Sequence, residues 1–128
     1  PLPGEEVTTT SLDLAAAARD LGDRELLLTM AGMLLAEWQT HLTRIQSSLQ
    51  AMDASQLTMA AHTLKSLLAM FHAEKARRLA LDIERATAPS SGSAVDWPRC
   101  AQLAGALTRE MDRLKPQLDR FVRGDQTV

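Results

Sequence analysis

Large apolar residues recur along this chain at steps of three and four, and no stretch alternates apolar with polar at a step of two. Helices are therefore expected and strands are not. The first stripe is short: Leu12, Leu14, Ala15 and Ala18, with Ser11 placed to cap it and Gly22 to stop it, predict a helix over 12–20. Asp23 opens a longer run whose apolar positions are Leu26, Leu27, Met30, Leu34, Trp38, Leu42, Ile45 and Leu49. That spacing predicts one helix over 24–50, roughly 40 Å long. Met52-Asp53 breaks it, and Asp53 or Ser55 is the expected cap of the next. There Leu57, Ala61, Leu64, Leu68 and Phe71 form one stripe, and Phe71-His72-Ala73 reads as a turn. Ala76, Leu79, Ala80 and Ile83 predict a helix over 73–87, and residues 88–93 are the one clear internal loop. Asp96 caps the last helix, with Pro98 in its first turn. Cys100, Leu103, Leu107, Met111, Leu114, Leu118 and Phe121 line its inner side, and Gly124 ends it. Pro116 removes one backbone hydrogen bond, so a bend is expected near Asp112.

The expected fold class is all-α: an antiparallel four-helix bundle with an additional short N-terminal helix. The bundle is expected over residues 11–124, after a Pro-, Gly- and Thr-containing linker at 1–10 and before a polar tail at 125–128. A chain of 128 residues suits one domain, and the core suffices for a monomer.

Composition narrows the functional classes. At 45% hydrophobic and 23% charged the chain is globular rather than disordered. A net charge of -2, with two Phe, two Trp and no Tyr, argues against nucleic acid as a partner. The single cysteine, Cys100, excludes an intrachain disulfide and fits a reducing compartment, so a cytoplasmic location is expected. No apolar run approaches the roughly 20 residues of a membrane span, no signal peptide is visible, and no direct membrane contact is expected. The sequence begins at Pro1 rather than Met, and it reads as a segment of a longer protein.

The face opposite the 57–71 stripe carries the chemistry. Ser55, Thr58, His62, Lys65, Ser66 and Ala69 share it at steps of three and four, and it is small, polar and free of large apolar groups. His62 is therefore expected in solvent, open to a large partner. A neutral imidazole is a good nucleophile near pH 7, its reference pKa being about 6.5. Attack on phosphorus needs a free ring nitrogen, room for an in-line approach and nearby positive charge. His62 has the first two; Lys65, three residues on, supplies the third. Ser66 is small enough not to block approach, and its hydroxyl could donate to the phosphate. No carboxylate that could hold a metal is expected near His62. The surface can carry a phosphoryl group but needs a partner to supply the catalytic machinery.

Ala61-His62-Thr63-Leu64-Lys65-Ser66, then Phe71-His72-Ala73, then Leu79-Ala80-Leu81-Asp82-Ile83-Glu84 resemble the pattern of histidine-containing phosphotransfer (HPt) domains. The family motif reads A-H-x-L-K-G, an apolar residue with G-A, then an apolar stripe ending in L-E or I-E. The upstream stretch from Asp13 to Leu49, with its L-G-D-R-E-L-L helix start, is also similar, so the resemblance covers about residues 12–86. It implies that His62 receives a phosphoryl group from a receiver-domain aspartate and passes it to a response regulator. It implies too that Lys65 assists, that no cofactor is held by the chain itself, and that the Mg²⁺ sits in the receiver. Its partners would be the receiver domains of a hybrid kinase and of a response regulator. The parent would be a hybrid sensor histidine kinase, membrane-bound or not, with this module at its C-terminal end. The expected docking surface is Thr58, Ser66 and Ala69 around His62, with Arg77 and Arg78 as candidates on the following helix. Two family glycines are replaced, by Ser66 and by His72; the second stands where positive φ is often needed, so strain or a different turn is expected there.

Other signals read as structural. His41 borders the apolar stripe beside Trp38 and Leu42; Glu37 and His41 have the spacing of half a metal site, but no second such pair exists. His72-Ala-Glu-Lys75 repeats the His-Lys spacing inside a predicted turn, and Arg123-Gly124-Asp125 is a helix stop followed by a tail. The chain lacks a Gly-rich ATP loop and a metal-binding Asp-Asn set, so it is not a kinase by itself. The alternative is a helical adaptor that docks a receiver or another partner through the same face without being phosphorylated. A dimerising kinase histidine domain fits worse, because the acidic and proline residues expected after its histidine are missing.

Overall fold

The computed structural model describes residues 12–88 and 94–124, and nearly all of them are helical. The helices are α1 (Leu14–Leu21), α2 (Arg24–Ala36), α3 (Trp38–Gln50), α4 (Ala54–Met70), α5 (Glu74–Thr87) and α6 (Trp97–Arg123). The linker at 1–10, the cap proposed at Ser11, residues 89–93 and the tail at 125–128 lie outside the described residues. α3, α4, α5 and α6 close a ring around one core, α2 packs against α6, and α1 packs against α2. This is the expected all-α bundle with a short helix at its start. No described helix is long and apolar enough to cross a membrane.

Caps set most boundaries. Asp23, Asp53 and Asp96 each accept a bond at one carboxylate oxygen from the backbone N–H three residues on, satisfying an amide that the helix start leaves open. α1 differs from expectation: its cap is Asp13, which accepts from Ala16 at 3.0 Å. Asp13 also donates its own N–H to Phe71 O, joining the chain start to the turn after α4. The expected helix over 24–50 is two helices, broken at Glu37, whose ψ of 9° leaves the helical range. The apolar stripe keeps its phase across this break, through Leu27, Ala31, Leu34, Trp38, Leu42 and Ile45, so spacing could not reveal it. Leu26, expected on that stripe, is exposed, and Ala31 is buried in its stead. The expected bend near Asp112 does not interrupt α6, which runs through Pro116 as one element. Arg24 of α2 stacks over the Phe121 ring, 5.4 Å from its centroid.

The turns on either side of α4 have the same construction. His72 N–H bonds Ala69 O and Ala73 N–H bonds Leu68 O; Met52 N–H bonds Leu49 O and Asp53 N–H bonds Ser48 O. Both are Schellman motifs, whose first residue past the cap must be left-handed. His72 has φ +55° and Met52 φ +52°, so both are strained where glycine would not be. His72 offsets part of its strain by donating from Nε2 to Asp20 Oδ2 at 2.7 Å. Met52 is 59% exposed and carries no such contact among the described residues. Met52→Gly is therefore expected to stabilise the fold by about 1 kcal/mol, a rise in Tm of roughly 3 °C by calorimetry. An unchanged or lower Tm would mean the turn holds no strain.

α4 and α5 share the most extensive helix–helix contact in the molecule. Ala61, Ala73, Ala76 and Ala80 are fully buried between the bundle helices, so the two backbones approach closely. That closeness lets side chains of α5 reach the outer face of α4.

Candidate functional site

α4 buries Leu57, Ala61, Leu64 and Leu68, which turns His62, Ser66 and Ala69 outward. His62 is 59% exposed. Antiparallel pairing about the turn at 71–73 then brings α5 alongside. His62 lies ten residues before His72 and Glu84 twelve after it, and His62 Nδ1 is 2.9 Å from Glu84 Oε2. Lys65 Nζ is 2.8 Å from the other oxygen, Glu84 Oε1. One carboxylate thus holds both groups of the expected phosphate site. The expectation that no carboxylate stands near His62 fails, because Glu84 comes in from the next helix.

This arrangement fixes charge and tautomer. The Lys65 ammonium draws the Glu84 carboxyl below its ordinary value; burial opposes it, and the His62 ring adds a weaker pull in the same direction as Lys65. Glu84 is thus ionised at neutral pH. Because its pKa is lower folded than unfolded, the stability it adds is present above the unfolded carboxylate range and lost as pH falls through the folded value. An acceptor-only carboxylate at Nδ1 sets the proton on that nitrogen and leaves the Nε2 lone pair free. Lys65 is half-buried and occupied by Glu84, so its charge is held at the site rather than free in solvent.

The structure distributes the other predicted residues unevenly. Ala69 is exposed two turns beyond His62 on the same face. Ser66 is exposed, and its Oγ donates back to His62 O at 3.2 Å. Thr58 is half-buried, with its Oγ 2.6 Å from that of Thr87, so it ties α4 to α5 more than it faces solvent. Arg77, half-buried, lies close to level with Ala69 by the same pairing, but its guanidinium forks onto Glu74. Arg78 is exposed, 3.5 Å from the same carboxylate. Glu74 is drawn below its usual value chiefly by Arg77, so it stays ionised and offsets both arginines. His72 sits at the turn with Asp20, away from His62, and His41 is buried, as expected of a structural residue.

Two residues escaped sequence reasoning. Glu84 stood in the quoted pattern only as the end of a stripe; counting outward from the 71–73 turn would have paired it with His62. Met59 is 67% exposed one turn before His62, so the face does carry a large apolar side chain. Among the described residues no three His, Cys, Asp or Glu side chains are grouped so as to hold a metal ion.

A family model described as the Hpt domain matches residues 29–117, which include all of α3, α4 and α5. No curated protein and no solved structure matches the chain.

Proposed function

Because the chain belongs to the Hpt domain family, whose role is histidine phosphotransfer in two-component signalling, we propose that His62 is its phosphoacceptor and Glu84 the residue that prepares it. The observation that carries this reading is the shared carboxylate, within 2.9 Å of His62 Nδ1 and 2.8 Å of Lys65 Nζ. The Nε2 lone pair attacks the phosphorus of an aspartyl phosphate on a receiver domain. The P–N bond forms, the P–O bond to the aspartate breaks, and the aspartate carboxylate leaves with the electron pair. The imidazole becomes cationic, and Glu84, already at Nδ1–H, balances the new charge without reorganising. Lys65 turns from Glu84 to the incoming phosphoryl oxygens, about three residues along the same face. Transfer to a response regulator is the reverse sequence onto a second aspartate.

Partner receivers supply the rest. Both Glu84 oxygens are engaged by His62 and Lys65, so we place the Mg²⁺ of the reaction in the receiver, not on this face. Thr58, Ser66, Ala69 and Met59 form the ground on which the receiver docks, with Arg77 and Arg78 at its edge. A hybrid sensor kinase is the parent this reading favours, its receiver the donor and a separate response regulator the acceptor.

Glu84 variants test the mechanism. A charge-assisted hydrogen bond contributes about 1.5–3 kcal/mol, which is roughly 10- to 100-fold in rate. Glu84→Ala is expected to slow transfer from a phosphorylated receiver by about that factor. Glu84→Gln keeps an acceptor at Nδ1 and should recover part of the loss. Lys65→Ala, off the core stripe, should slow transfer without lowering helicity. Single-turnover transfer rates with both Glu84 variants at the wild-type value would remove Glu84 from the mechanism.

A further inference from the structure

Beside His62 lies a cleft of about 190 Å³ between α3 and α4, lined by His41, Arg44, Gln56, Met59, Ala60 and Thr63. Met59 precedes His62 by one turn and also lines the cleft, so the cleft flanks the docking face on its α3 side. Among the described residues Arg44 is the one formally charged side chain that lines it. Arg44 is exposed and has no carboxylate partner among the described residues. Two carboxylates border the cleft, each against a lining residue: Asp53 accepts from Gln56 N–H, and the exposed Glu37 sits 3.5 Å from His41 Nε2. That distance is too long for a good hydrogen bond, and His41 Nε2 is buried without one. Burial pushes the His41 imidazole below its ordinary value, against the pull of Glu37, so the ring is neutral and keeps a single N–H. The Thr63 hydroxyl and the Gln56 amide add further donors.

We propose that this cleft receives an acidic side chain of the receiver domain, with Arg44 as its ionic partner and Met59 as its apolar wall, and that it helps select which receivers dock. The inference rests on the reading that a receiver docks over His62. A guanidinium forks onto a carboxylate with two parallel bonds, which a rim lysine does not reproduce. Arg44 is exposed, so the pair forms at the mouth of the cleft and is weakened by salt. An exposed thioether adapts to differing partner shapes and closes over the pair. Charge complementarity at such a place governs encounter and partner choice more than chemistry.

The test uses wild type, Arg44→Glu and Arg44→Lys with two phosphodonors: a phosphorylated receiver domain that labels His62, and potassium phosphoramidate, which needs no docking. For Arg44→Glu, the ratio of receiver-dependent to phosphoramidate-dependent labelling should fall about tenfold or more, through KM rather than kcat. The remaining KM should rise less steeply with salt than in wild type. Arg44→Lys should recover part of the loss. A ratio equal to wild type in Arg44→Glu would overturn the proposal, as would a loss confined to kcat. If phosphoramidate labels His62 and no receiver does, the receiver reading fails and this inference falls with it. A KM defect in Arg44→Glu that salt affects as in wild type would point to an apolar occupant and overturn the acidic one.

Discussion

His62→Gln should give a folded helical bundle that accepts no phosphoryl group. Glutamine has no ring nitrogen with a free lone pair; its amide nitrogen is delocalised into the carbonyl and does not attack phosphorus. The expected loss of labelling is to background, on the order of a thousandfold or more. The fold should barely notice. His62 is 59% exposed and outside the core stripe of α4, and such positions change stability by about 0.5 kcal/mol or less. The glutamine amide can still donate to Glu84, so the carboxylate keeps a partner. Circular dichroism and a thermal melt beside the transfer assay separate lost chemistry from lost structure. A partner that still binds His62→Gln with nearly wild-type affinity would fit either reading of the surface. Residual labelling of the variant would show that another side chain is the acceptor.

Ala69→Trp is expected to have the second largest effect, and for a different reason. Ala69 lies two turns beyond His62 on the exposed face of α4, outside the core. An indole there stands where a docking receiver would lie, while the imidazole, Glu84 and Lys65 remain untouched. Loss of a central contact is worth about 2 kcal/mol or more, so kcat/KM for a receiver should fall by roughly 30-fold or more. Labelling by phosphoramidate should persist, because a small phosphodonor passes the indole. Ala69→Ser, which adds one oxygen, is the control for polarity without bulk. Receiver transfer at the wild-type rate in Ala69→Trp would move the docking surface off this face.

Local signals in the sequence reached the elements and one side of the site. Spacing found α4 and its buried stripe, because Leu57, Ala61, Leu64 and Leu68 repeat without interruption. Phe71-His72-Ala73 was legible as a turn, and His72 does adopt the positive φ that the pattern led one to expect. The break at Glu37 was not legible. It leaves the phase of the stripe intact, and neither proline nor glycine marks it. Asp13 took the cap expected of Ser11, two side chains able to cap standing close together at the chain start. Glu84 was missed because its role is made by pairing between helices, which a pattern along one helix does not contain. Met59 was legible in the same spacing, four residues after Ser55, three before His62 and seven before Ser66; its apolar character kept it off the polar stripe.

The central claim is that Glu84 holds Nδ1 of His62 and thereby directs phosphorylation to Nε2. It is tested most directly by locating the phosphoryl group. The chain, with ¹⁵N-labelled histidine, would be phosphorylated through a receiver and examined by ³¹P–¹⁵N NMR under alkaline conditions, where the P–N bond survives. One phosphohistidine, at His62 and coupled through Nε2, is the expected result. Phosphorus on Nδ1 of His62, on His41 or His72, or on an oxygen would contradict the account.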